Sequence, residues 1–204
     1  MRQPLPIIAI LACFLFLFSY SPTSIYAQGD ARPQAESSFE VMLSIVAGSN
    51  EPTQKNELPA ALAPIAKQLR ASFGFNSFRL ADTYIGRVGN NGTISYKSLA
   101  DINGRDQQDT PSFLDWNIVK LNNMAGANTF FIQAFQFGAR VPVRISGPPD
   151  PSGKMTSSIQ YESLGLTVDR LTVGANSPVL IGTIALPRTD GRVFLVLTIS
   201  PAAN

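Results

Sequence analysis

Ser177–Pro201 reads SPVLIGTIALPRTDGRVFLVLTISP. Within it, Val193-Phe194-Leu195-Val196-Leu197 is an unbroken run of bulky β-formers. A run that short and that apolar fits a strand covered on both faces. Val179 to Leu186 is a second apolar run, and Pro187-Arg188-Thr189-Asp190-Gly191 lies between the two. Asp-Gly tolerates the positive φ that a tight reversal needs, so the segment is expected to be a β-hairpin. With both runs so apolar, the hairpin is expected in the middle of a sheet and not at its rim.

Upstream of the hairpin, most segments alternate with a period of two. Phe39, Val41, Leu43 and Ile45 share one face of a strand over Phe39–Ala47. Phe78, Leu80, Asp82 and Tyr84 do the same within Ser77–Val88. Gly89-Asn90-Asn91-Gly92 then predicts a turn, with Thr93–Leu99 returning as the partner strand. Asn91-Gly92-Thr93 also has the glycosylation pattern, but a turn accounts for it. Leu114, Trp116 and Ile118 mark a strand over Phe113–Leu121, followed by a turn over Asn122–Asn128. Thr129–Ile145 is a long extended run, expected to bend or bulge at Gly138 and to lie at an edge where Pro142 removes a donor. Ser146–Ser158, with Pro148, Pro149 and Pro151, is expected to be a loop. Leu164, Leu166 and Val168 begin a last strand before Gly174-Ala175-Asn176 turns the chain.

Leu58–Phe73 is the exception. Leu58, Leu62, Ile65, Leu69 and Phe73 recur every three or four residues, which predicts an apolar stripe on a helix. Pro64 does not suit a helix interior, so regular helix is expected from about Ala63, with Gly74 as its stop. The fold class is therefore α+β: a mainly antiparallel sheet or sandwich with one amphipathic helix packed on it.

The chain starts differently. Arg2 precedes an apolar run from Ile7 to Phe18, and a polar stretch ends at Ala27-Gln28. Charge, short apolar core and small-residue exit compose a secretory signal peptide over 1–27. The core is shorter than the roughly 20 residues a spanning helix needs. Ile10-Leu11-Ala12-Cys13 has the residue types of a lipoprotein signal, but the apolar run continues beyond Cys13. Residues 28–38 read as a flexible leader and 39–204 as a single β-rich domain, divisible at most into 39–100 and 112–204. The expected location is the periplasm or outer envelope.

Composition narrows the chemistry. The chain has no histidine, and its one cysteine, Cys13, lies in the signal segment. Without these side chains a mature chain has no disulfide, no thiolate or histidine metal site and no serine–histidine pair. Sixteen basic and fourteen acidic residues leave a net charge of +2, and the basic ones are scattered, which argues against nucleic acid. Asp101, Asn103, Asp106 and Asp109 suggest calcium, but Gly104 stands fourth where an EF-type loop places its glycine sixth. Asp82, Asp101, Asp106, Asp109, Asp115 and Glu162 could serve a carboxylate-based hydrolase, yet their spacing pairs none of them. Phe130, Phe131, Phe135 and Phe137 could line an apolar carrier pocket, or simply a core. No catalytic, cofactor-binding or metal-binding residue is assigned, and no cofactor is expected.

Pro178-Val179-Leu180-Ile181-Gly182-Thr183-Ile184-Ala185-Leu186-Pro187, with Val193–Pro201 behind it, resembles the closing segment of bacterial secretins, the ring-forming outer-membrane channels. The second glycine of their signature is missing, and little chain remains for membrane-spanning hairpins. The resemblance implies a shortened soluble relative, not a pore. Together these readings lead to an exported, non-enzymatic envelope protein that binds or self-associates through a β edge, expected within Thr129–Ile145.

Overall fold

The computed structural model describes residues 38–50, 58–102, 110–124, 128–149 and 151–202; the signal, most of the leader, Asp106 and Asp109 lie outside them. Two four-stranded antiparallel sheets and one short helix form the body. The first sheet orders β2 (Ser77–Gly89), β1 (Ser38–Ser49), β8 (Arg192–Pro201) and β7 (Val179–Ala185). The second orders β3 (Gly92–Ala100), β4 (Ser112–Asn123), β5 (Thr129–Pro149) and β6 (Met155–Gly174). The strands of 39–100 and 112–204 interleave, because β1 pairs with β8 and β3 with β4.

The sheets pack face to face. Val41, Leu43 and Ile45 of β1 and Leu195 and Leu197 of β8 meet Trp116, Ile118, Phe135 and Phe137 of the second sheet in one core. The other side of the first sheet carries a smaller core of Val46, Phe78, Phe194 and Val196 under Ile65 and Leu69. Those two residues belong to α1 (Ala63–Ser72), which follows a 3₁₀ turn at Ala60–Leu62 and has Pro64 in its first turn, where the missing N–H costs nothing. Val193–Leu197 is accordingly buried throughout, as expected for a strand covered on both sides. Only one arm of that hairpin is central, however. β7 lies at the rim, because nothing but β8 pairs with it. Nor does the reversal use Asp190-Gly191 for positive φ; Arg188 takes it, at 55°, while Leu186 and Gly191 close the turn.

Other expectations change for identifiable reasons. β2 and β3 are joined by the expected tight turn, with Asn91 at φ 59°, yet they enter different sheets and do not pair. The Asn91 N–H is instead donated to the Leu121 carbonyl. Within β2, Ala81 is an extra residue opposite the Ile45–Val46 step. Such a bulge reverses which face the side chains take. Phe78 and Leu80 therefore face the helix while Tyr84 and Val88 face the inner core. Gly138 is neither a bend nor a bulge, since its pairing with Asp115 and Gly165 is regular. Its role is clearance: a Cβ there would lie 2.7 Å from the Asp115 carboxylate. A crease does cross the sheet nearby. Lys120 and Arg170, at φ 51° and 56°, flank the position of Gln133, and the buried face shifts by one residue there in β4 and β5.

The edge expected in β5 is confined to its Pro142 end. From Phe130 to Arg140, β5 is paired on both sides, so it is internal there. Pro142 does sit beyond the last β4 pair, Phe113 with Arg140, where no donor is required on that flank. Most of Ser146–Ser158 is strand rather than loop: β5 runs to Pro149 and β6 starts at Met155. The two form a hairpin arm that continues past β4.

Candidate functional site: an open strand edge

The arm leaves β6 at the rim of its sheet. Every residue from Met155 to Tyr161, MTSSIQY, is exposed, including Met155 at 65%, Ile159 at 43% and Tyr161 at 42%. None of the seven is charged and none is proline. Strand edges are usually guarded by charge, proline, bulges or a covering element, so an unguarded one is available for pairing.

The remaining rims carry local contacts or prolines. Across the β2–β3 corner, the Tyr96 hydroxyl donates to the Ile85 carbonyl at 2.8 Å. Gly86 makes room for it, since a Cβ there would meet Ile94 and Tyr96. Arg79 donates to the carbonyls of Asp101 and Ile102 at 3.1 and 3.0 Å. β7 is short, carries a bulge between Leu180 and Gly182, and receives Leu166 of β6 over Gly182. The free flank of β5 contains Pro142, Pro148 and Pro149, which lack donors.

Beside the arm, the outer face of the second sheet carries an aromatic group. The Arg140 guanidinium lies 4.9 Å from the Phe113 ring centre, and Phe113 and Tyr161 rings are 5.5 Å apart. The Tyr161 hydroxyl donates to the Pro111 carbonyl at 3.3 Å. These contacts hold the root of the arm against β4. On the inner side Glu162 meets Arg188 at 3.5 Å, where the free edge gives way to the body.

The acids named from the sequence do not converge. Asp82 accepts from Tyr84, Asp115 lies beside Gly138 and Glu162 pairs with Arg188. Among the described residues no three His, Cys, Asp or Glu side chains gather as a metal site would require. Phe130, Phe135 and Phe137 are buried in the inner core and Phe131 is half-buried.

One polar cluster does perturb a titration. The Ser98 hydroxyl donates to the Tyr84 oxygen at 2.6 Å, and the Tyr84 hydroxyl donates to Asp82 at 2.7 Å. Burial pushes the Tyr84 hydroxyl up from 10.0 to about 12, helped by the bond to Asp82 and its charge and opposed by the bond from Ser98. A raised phenol is a weaker acid, which suits structure and not proton transfer at neutral pH. Between pH 10 and 12 the unfolded chain releases this proton before the folded one does. The stabilisation is therefore complete below pH 10 and lost as pH rises through 12. Tyrosinate absorbance is expected to show one step near pH 12 that Tyr84→Phe removes. Tyr84 also lies 6.2 Å from Trp116, which stacks on Tyr96 at 5.1 Å and whose buried indole N–H has no hydrogen-bond partner among the described residues.

Among the described residues no helix is long and apolar enough to cross a membrane. No family model and no curated protein matches the chain. Among solved structures it is similar to the "InvG secretin domain beta-barrel from Salmonella SPI-1 injectisome NC-base", with TM-score 0.29 and 10% identity over 83% of this chain. That match spans 64% of the other chain, less than two thirds of its length. At this TM-score the resemblance is weak.

Proposed function

We propose that this is an exported envelope protein whose task is contact, through the free edge of β6, rather than bond-making. The observation that carries the reading is the uncharged, proline-free run Met155–Tyr161, exposed along an arm whose other free flank, on β5, carries Pro142, Pro148 and Pro149. Strand addition supplies main-chain hydrogen bonds from the edge and specificity from alternate side chains such as Ile159 and Tyr161. The signal-like start at Arg2 and Ile7–Phe18 supports export, and the absence of histidine in the chain leaves little for catalysis. Kinship with secretins, as a shortened soluble relative, is part of the same proposal and rests on residues 178–187. Amide exchange tests the edge: adding the envelope fraction of the native host slows exchange over Met155–Tyr161 if the edge is engaged. Unchanged exchange there counts against the proposal.

A further inference from the structure

We infer that the occupant of this edge is a second copy of the chain, its β6 lying antiparallel to the first about a two-fold axis at Ser158. The inference rests on the reading of β6 as the contact edge and names its partner. Its first support is the distribution of charge. Lys154 precedes the edge, seven uncharged residues follow, and Glu162, which meets Arg188 of its own chain, comes next. Antiparallel self-pairing about Ser158 sets Lys154 of each copy opposite Glu162 of the other. It also sets Met155 opposite Tyr161 and Ser157 opposite Ile159, so every exposed apolar side chain of the edge lies on the outer face near another copy's residues. A parallel arrangement in the same register would oppose Lys154 to Lys154 and Glu162 to Glu162.

The second support is what the other flank forbids. Head-to-tail growth would lay β6 of one copy against the free flank of β5 in the next. Pro142, Pro148 and Pro149 lack donors there, so that ladder is interrupted along the arm. At the other rims Tyr96, Arg79 and Leu166 make local contacts. A β6-to-β6 contact about a two-fold axis is isologous and closes at two.

Site-specific cross-linking of the whole chain tests this. In a Cys13→Ser background, Ser158→Cys places two thiols on facing residues, with Cα atoms about 4.5–5.5 Å apart, within disulfide reach. Ser146→Cys, on the far strand of the arm, sits three strand spacings from its mate, about 14 Å, and serves as the control. Oxidation is expected to give covalent dimer from Ser158→Cys and none from Ser146→Cys. Lys154→Glu, which would oppose like charges across the axis, is expected to weaken self-association about tenfold. Equal cross-linking at both positions would overturn the two-fold pairing. Absence of dimer from Ser158→Cys, with Met155–Tyr161 still protected by the envelope fraction, would overturn the second copy and leave the edge reading standing. Absence of both would overturn both.

Discussion

Phe194→Ala is expected to destabilise the fold by about 3–5 kcal/mol, the usual cost of removing a fully buried phenylalanine. Phe194 is 0% exposed and sits on the helix side of β8. Its ring lies 4.9 Å from that of Phe73, 6.1 Å from Phe75 and 5.8 Å from Phe78. The alanine variant would leave a cavity and forfeit these ring contacts together, and neighbouring backbone could not close it because β8 is paired on both sides with β1 and β7. Since domains of this kind are stable by about 5–15 kcal/mol, the loss should be visible as a large shift in the urea midpoint. Phe194→Leu, which keeps most of the volume, should cost clearly less. Equal costs for the two variants would mean that the helix-side core is not packed as described.

Gly48→Ala should destabilise by about 1–3 kcal/mol, against the ordinary trend. Replacing glycine with alanine normally stabilises by about 0.4–1 kcal/mol through the unfolded chain. At Gly48, however, a Cβ would come 2.8 Å from Phe194, 3.1 Å from Phe75 and 3.2 Å from Phe78. These rings hold one another, so none can withdraw without disturbing the rest. Gly74 provides the contrast: nothing lies within 4 Å of its Cβ position and its φ is not positive. Gly74→Ala is therefore expected to stabilise slightly. Opposite signs at the two glycines, measured in the same denaturant series, check the packing of the phenylalanine cluster directly.

Much of this architecture is legible in the residues themselves. Five consecutive bulky apolar residues at Val193–Leu197 can be buried only between two layers, and Pro64 places the helix start within a residue of where it lies. What could not be read has physical causes. A turn such as Gly89–Gly92 signals reversal, not sheet membership, so the divergence of β2 and β3 is invisible in it. Alternation looks the same with or without the extra residue at Ala81, whose effect depends on β1 lying alongside. Glycine and proline mislead in a related way. Gly138 marks the close approach of Asp115, and Pro148 and Pro149 stand in an edge strand that requires no donor on its free side. The candidate edge left its own trace: the absence of charge and proline from Met155 to Tyr161 contrasts with the proline-bearing strand opposite.

Residue-resolved hydrogen exchange along β6 compares dilute purified chain with the same chain in its host's envelope fraction. Exchange over Met155–Tyr161 is expected to be fast in the dilute chain and markedly slower on engagement, with Leu171–Val173 at the other end of the strand unchanged. Equally fast exchange over Met155–Tyr161 under both conditions would contradict contact through the β6 edge.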